Sequence, residues 1–130
     1  MVYVMENPQK SEKLFKNFQE TMIWSCLQKV MGEVYTNDLK APESATAILG
    51  DFCFFAGKPN KELILYGPGR GGRKFLIMVP QNDKWAELIK VCYGERAKKV
   101  IRYAIKKEPD IFDQKALKDM VEELPDEYTL

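Results

Sequence analysis

Histidine is absent from this chain of 130 residues. Its absence excludes a Ser-His-Asp or Cys-His mechanism built from this chain alone, and it excludes zinc sites that need imidazole ligands. An acid-base catalyst would have to be Asp, Glu, Tyr, Lys or Cys. Cysteine is scarce, since Cys26, Cys53 and Cys92 lie far apart in apolar segments without a CxxC pair. We therefore expect reduced, buried thiols and no metal site.

An excess of charge of one sign is also missing. The chain has 20 basic and 19 acidic residues and a net charge of +1. This balance favours neither nucleic acid nor a membrane surface as a partner. No secretory leader pattern opens the chain and no apolar run approaches the length of a membrane span, so we expect a cytoplasmic protein. The length and the apolar fraction of 45% predict one globular domain over residues 1–130.

Two apolar runs are the most informative features present. Residues 52–56 are Phe-Cys-Phe-Phe-Ala between glycines, and residues 75–79 are Phe-Leu-Ile-Met-Val, closed by Pro80. Runs without polar alternation are typical of strands covered on both faces. We predict strands over residues 45–56, with a break at Gly50-Asp51 as the alternative to one long strand, and over 75–79 as the central strand.

Other segments show helix and strand signals. The predicted helices are residues 11–20 with Ser11 as N-cap, residues 60–66, a helix from Asn82 or Asp83 to Gly94, and one capped by Asp113 and ended by Pro125. The further predicted strands are residues 22–27 and 33–36, forming a hairpin, and residues 99–106. Residues 67–72 predict a loop, because Gly and Pro dominate there.

The order of elements predicts the fold class. Early strands joined by short turns should be antiparallel, and later strands separated by helices should be parallel. We therefore predict an α/β fold with a mixed sheet flanked by helices. The glycine-rich loop at residues 67–72 offers a phosphate-binding interpretation, but it follows a helix and precedes a strand, so a solvated linker is the favoured interpretation.

Four sequence segments carry a family resemblance: SCLQ at residues 25–28, GDFCFFAG at 50–57, MVPQN at 78–82 and RYAIKKEP at 102–109. They resemble the N-terminal region of a Firmicute group of GNAT-type N-acetyltransferases, over nearly the whole chain beyond the first dozen residues. In that group a second, C-terminal domain carries the acetyltransferase signature. The resemblance implies a bacterial protein with a GNAT-like topology and a catalytic GNAT domain as partner, in cis or in trans, and leaves a homo-oligomer open.

The resemblance also implies where acetyl-CoA would bind. Residues 51–56 would be the strand that meets the pantetheine arm, with Phe54, Ala56 and Gly57 at the cofactor, and residues 57–61 would be the pyrophosphate loop. The family's loop pattern, Arg or Gln followed by Gly three residues later and Gly or Ala five residues later, is not present in residues 57–61. Pro59 also removes an N–H donor. We therefore predict a non-catalytic domain that supports or shapes the substrate site of a catalytic domain.

Two other functions stay open. As an active acetyl-CoA-dependent N-acetyltransferase, the domain would use Asp51 or Tyr103 as the base that assists attack by an amine. Asp51 has a structural alternative as a turn residue beside Gly50. The second open function is that of a small-ligand or protein-binding module, which would use a cleft between strands near Asp51.

Overall fold

The computed structural model describes residues 1–69 and 75–128. The chain divides into two compact units, Met1–Lys98 and Lys99–Leu130, called here the first and the second unit. Within the described residues, no helix combines the length and the apolar character that crossing a bilayer requires.

A five-stranded sheet forms the middle of the first unit. Its strands, which lie side by side in chain order, are β1 Tyr3–Val4, β2 Glu33–Thr36, β3 Ser44–Leu49, β4 Phe52–Gly57 and β5 Ile77–Pro80. Neighbouring strands are antiparallel except β4 and β5, which are parallel. The predicted mixed α/β sheet is confirmed, including the break at Gly50-Asp51, where Gly50 has a φ of +56°. The prediction that residues 75–79 form the central strand was wrong, because β5 is the last strand in this order.

Helices lie before, between and after the strands. They are a 3-10 helix Pro8–Phe15, α1 Thr21–Leu27, α2 Lys61–Gly69, α3 Asp83–Tyr93, a 3-10 turn Gly94–Arg96 and, in the second unit, α4 Gln114–Glu122. The predicted caps of the two clearest helices are confirmed. Asn82 accepts a hydrogen bond from the Trp85 amide at the start of α3, and Asp113 accepts from the first amides of α4.

Two predictions near the N-terminus were wrong. Residues 22–27 belong to helix α1, whose buried residues Ile23, Cys26 and Leu27 follow helical spacing. The β-compatible side chains there misled the sequence interpretation, since burial of a helical stripe outweighs local propensity. The predicted helix at residues 11–20 is instead the 3-10 helix, and Ser11 is no cap because its hydroxyl donates to the Pro8 carbonyl at 2.7 Å.

Helix α2 continues through Gly69, where a loop was predicted. Pro68 cannot donate to the carbonyl of Ile64 four residues earlier. The hydroxyl of Tyr93 on α3 donates to that carbonyl at 3.1 Å instead, so the last turn of α2 keeps a satisfied acceptor. Residues 70–72 of the predicted loop lie outside the described residues.

Buried side chains cover both faces of the sheet. Phe54 and Ala56 of β4 belong to a cluster with the 3-10 helix and α1, whereas Cys53 and Phe55 belong to a cluster with α2 and α3. Successive strand residues point to opposite faces, so β4 is buried on both, as its unalternated apolar sequence predicts. The first unit therefore has three layers, with the sheet in the middle.

The second unit is organised differently. Residues 99–108, which include the predicted strand at 99–106, have no regular secondary structure, so that strand prediction was wrong. A strand needs a neighbour to satisfy its backbone, and the described residues of the second unit contain no strand. Every described residue of the unit is exposed, including those of α4.

Candidate functional site

The candidate site is the edge of the sheet where β4 and β5 end. Carboxyl ends of parallel strands meet at one edge, and ligands of α/β sheets commonly bind there. Pro80 is the register partner of Phe55, and the Gln81 amide donates to the Phe55 carbonyl at 3.0 Å. The two strands therefore stay hydrogen-bonded to within two residues of Gly57, the last residue of β4.

Gln81, the residue after β5, bonds to the last residue of β4. Its Oε1 accepts from the Gly57 N–H at 3.0 Å, and its Nε2 donates to the Leu14 carbonyl at 2.5 Å. One half-buried amide side chain thus connects the ends of both strands to the 3-10 helix. The Gly57 N–H is consequently engaged inside the protein.

Trp85, in the first turn of α3, engages the other polar group of Gly57. Its indole N–H donates to the Gly57 carbonyl at 2.8 Å. Its ring stacks on Phe55, with centroids 5.3 Å apart, and the side chain is 0% exposed. A large buried aromatic side chain whose polar atom is satisfied packs as core. The end of β4 is therefore filled by Trp85.

The turn that follows β4 is bonded to the start of β3. The Lys58 amide donates to the Glu43 carbonyl at 2.8 Å, and the Ser44 hydroxyl donates to the Lys58 carbonyl at 2.5 Å. Gly57 has a φ of +80°, and a Cβ there would overlap the Glu43 carbonyl oxygen. Only glycine allows this approach without strain.

The start of α2 is capped by its own chain. Asn60 Oδ1 accepts from the amides of Glu62 at 2.9 Å and Leu63 at 3.2 Å. Pro59, just before the cap, has no N–H to offer. Two of the amides that make a helix N-terminus attractive to anions are therefore already hydrogen-bonded to Asn60.

The predicted site residues occupy different environments. Phe54 and Ala56 are buried in the core, and Ala56 pairs with Ala45 of β3. Gly57 lies at the candidate site. Asp51 is exposed in the turn before β4, roughly 20 Å from Gly57 at the strand rise per residue. Tyr103 belongs to the second unit, and its side chain is 89% exposed.

The sequence interpretation missed the two side chains that decide the chemistry of this edge. Gln81 belongs to the family segment MVPQN and Trp85 to the helix predicted from Asn82 or Asp83, and the sequence patterns assigned neither residue to this edge. Their positions carried a usable signal, because a polar residue directly after a strand and a helix beginning just beyond it face the carboxyl edge of a parallel pair.

A shallow pocket of about 190 Å³ lies elsewhere, at the start of β2. Met5, Pro8, Cys26, Gly32 and Val34 are among its lining residues, and Asp51 is not. Burial raises the pKa of the Cys26 thiol from 9.0 to about 11, so that this cysteine is a protonated thiol at neutral pH. Among residues 1–69 and 75–128, no group of three acidic or cysteine side chains is placed to hold a metal ion.

Comparisons with known proteins identify relatives over most of the chain. The family model described as GNAT acetyltransferase matches residues 12–130. Among solved structures, a GCN5-related N-acetyltransferase-like protein from Streptococcus suis is similar, with 38% sequence identity and a TM-score of 0.71. The match covers 93% of this chain and 48% of that protein, so this chain spans about half the length of its relative. No curated protein matches the chain.

Proposed function

Because the chain belongs to the GNAT acetyltransferase family, we propose that it is a non-catalytic GNAT-type domain that supports or shapes the substrate site of a catalytic domain. The observation that carries the proposal is that the N–H and the carbonyl of Gly57, the last residue of β4, are both hydrogen-bonded within the protein. GNAT acetyltransferases normally use acetyl-CoA, and the resemblance assigns the pantetheine arm of that cofactor to this strand end.

The pantetheine position does not fit the cofactor. An arm that pairs with β4 needs free backbone groups, whereas the Gly57 N–H is held by Gln81 and its carbonyl by Trp85. Each such hydrogen bond contributes about 0.5–1.5 kcal/mol net, and displacing a fully buried Trp side chain adds about 3 kcal/mol or more. Acetyl-CoA would have to replace these interactions before it gained any of its own.

The pyrophosphate position fits no better. Phosphate-binding loops present several backbone N–H groups to the anion. Here the Lys58 amide donates to Glu43, Pro59 has none, and Asn60 occupies two amides of α2. A diphosphate would therefore meet few available donors in residues 57–63.

A supporting role agrees with the size of the relative. The match takes in nearly all of this chain but 48% of the Streptococcus suis protein. A domain of this type therefore occurs beside about as much additional chain, and we assign catalysis to a partner domain, in cis or in trans. Proton removal by Asp51 or Tyr103 is the competing hypothesis of an active acetyltransferase.

The proposal is tested by thermal unfolding of the purified chain with acetyl-CoA, CoA or neither. A ligand at a hundred times its Kd stabilises by about 2.7 kcal/mol, which raises the Tm of a domain of this size by several degrees. We expect no shift at about 1 mM acetyl-CoA, which is a hundred times a Kd of about 10 μM. A GNAT enzyme of known cofactor binding serves as the positive control.

A second measurement separates the competing hypothesis. The chain is incubated with acetyl-CoA and a panel of amines, and released CoA is followed with a thiol reagent. Release above the background, lost on Asp51→Asn or Tyr103→Phe, would establish an active enzyme and overturn the proposal. Background release, together with an unchanged Tm, supports the non-catalytic role.

A further inference from the structure

The second unit exposes many large apolar side chains. Eleven are exposed among its described residues: Val100, Ile101, Tyr103, Ile105, Ile111, Phe112, Leu117, Met120, Val121, Leu124 and Tyr128. None of its described residues is buried, so the unit has no core of its own. So many exposed apolar side chains in one short unit are typical of a surface that another surface covers.

Helix α4 provides one part of this surface. Leu117, Met120, Val121 and Leu124 are spaced i, i+3, i+4 and i+7, which places them on one face of the helix and its C-terminal end. A helix of nine residues is marginal in water without a covering partner. The Asp113 cap helps to start the helix but covers none of that face.

The irregular segment before α4 provides the other part. Ile101, Tyr103 and Ile105 alternate with Arg102 and Lys106, and their exposed fractions are 68%, 89% and 93%. Alternate apolar side chains on an extended segment are the pattern by which a chain adds to the edge of another sheet. The two parts together make the docking surface: residues 99–108, called here the extended segment because we expect them to extend along a partner, followed by the amphipathic helix α4.

The lengths of the matched chains provide the argument for one occupant. The 7% of this chain outside the match to the Streptococcus suis protein amounts to about nine residues, fewer than the 32 of the second unit. Most of the second unit is therefore part of the similarity, and the family match extends to residue 130. The relative contains about as much chain again, and that additional chain is the occupant that we infer for this surface.

We propose that the second unit is the docking surface for the other half of a two-part GNAT-type protein, covalently joined or separate. The inference rests on the proposed function only in taking that half to be the catalytic one. The extended segment adds to a sheet edge of the partner, and the apolar face of α4 packs against it. Burial of these side chains supplies the affinity.

Charge further specifies the partner. Residues 99–107 contain four basic and no acidic side chains, whereas residues 108–127 contain eight acidic and two basic ones. The partner surface should therefore be acidic beside the extended segment and basic beside α4. Such complementary charge at the rim of an interface accelerates association and is weakened by salt.

The test uses the full chain and the part of the Streptococcus suis protein that the match leaves out, produced separately and titrated only as a preparation that shows a cooperative thermal unfolding transition. Calorimetric titration measures their association, and sedimentation velocity measures the oligomeric state of the chain alone. The disrupting variants are Leu117→Gln with Val121→Gln, which keep a good helix former at each site, and Ile105→Gln outside the helix. Val91→Gln, 74% exposed on α3 of the first unit, is the matched control.

We expect a one-to-one complex that either disrupting variant weakens at least about tenfold and that Val91→Gln leaves unchanged. Absence of binding at about 100 μM, or equal affinity of all variants, would overturn the proposal. A dimer of the chain alone that the α4 variant dissociates would overturn it too, by making a second copy the occupant. Since acetyl-CoA is absent from the titration, its outcome is independent of the cofactor test above.

Discussion

Replacing Gly57 with alanine should destabilise the first unit more than replacing Gly50 with alanine. Both glycines have positive φ, +80° and +56°. Both variants therefore incur the left-handed backbone penalty of roughly 1–2 kcal/mol that applies to residues with a Cβ. The surroundings differ, because a Cβ at Gly57 overlaps the Glu43 carbonyl and a Cβ at Gly50 meets nothing within 4 Å.

The additional cost at Gly57 follows from its contacts. Relieving the overlap requires moving the Glu43 carbonyl, which accepts the Lys58 amide, or moving Gly57 away from Gln81 and Trp85. Overpacking of a well-packed site costs about 1–3 kcal/mol, and one lost hydrogen bond costs about 0.5–1.5 kcal/mol. We therefore expect Gly57→Ala to cost about 2–4 kcal/mol more than the backbone penalty alone.

Urea unfolding of the two variants and the wild type, followed by tryptophan fluorescence, measures the difference. Trp85 is buried at the site and reports its loss directly. The comparison requires equal m-values, since a changed m-value signals an altered denatured state or a loss of two-state behaviour. Equal destabilisation by the two substitutions, within about 0.5 kcal/mol, would refute the close approach of Gly57 to Glu43 and with it the packed end of β4.

Two further predictions address the same unit. Gln81→Glu should destabilise it by about 1–3 kcal/mol at pH 7, because an ionised carboxylate accepts from Gly57 but cannot donate to the Leu14 carbonyl. Because ionisation removes the hydrogen bond to Leu14, the folded-state pKa of the introduced glutamate is raised. The free energy of unfolding should therefore be highest below the unfolded-state pKa of about 4.3 and fall as the pH rises, which urea titrations from about pH 4 to 8 would measure. Iodoacetamide at pH 8 should modify half-buried Cys92 before Cys26, an order that mass spectrometry measures. Modification of Cys26 first would contradict the prediction. Because burial raises the folded pKa of Cys26 from 9.0 to about 11, its contribution to stability is complete below pH 9 and is lost as the pH rises through 11, a decline that Cys26→Ala should reduce.

The elements that sequence patterns predict well are those whose signals agree with one another. Helix α3 has an N-cap at Asn82, an apolar stripe that includes Trp85 and Ile89, and Gly94 at its end. Strand β4 has a continuous apolar run and is buried on both faces. Local propensity, periodicity and burial lead to the same structure in both cases.

Helix α1 and the extended segment of the second unit show why other elements were mispredicted. Helix α1 has seven residues, and its β-compatible composition concealed the helical spacing of Ile23, Cys26 and Leu27. Residues 99–106 have a strand-like alternation, but a strand depends on a neighbour that no local pattern contains. Tertiary contacts decide both cases.

The candidate site shows the same limit. The departure of residues 57–61 from the family's loop pattern, and the missing donor of Pro59, were visible in the sequence. The hydrogen bonding of the Gly57 backbone was not visible in the sequence, because Gln81 lies 24 residues from Gly57 and 67 from Leu14 along the chain. The contact with Gly57 depends on the parallel pairing of β4 and β5, and the contact with Leu14 depends on the position of the 3-10 helix beside the sheet.

The most direct test of the central claim is an isothermal titration of the purified chain with acetyl-CoA. The account predicts no saturable heat at about 1 mM ligand, because the backbone groups at the end of β4 and the start of α2 are engaged within the protein. Stoichiometric binding with a Kd of about 100 μM or below, weakened by mutations around Gly57, would contradict it.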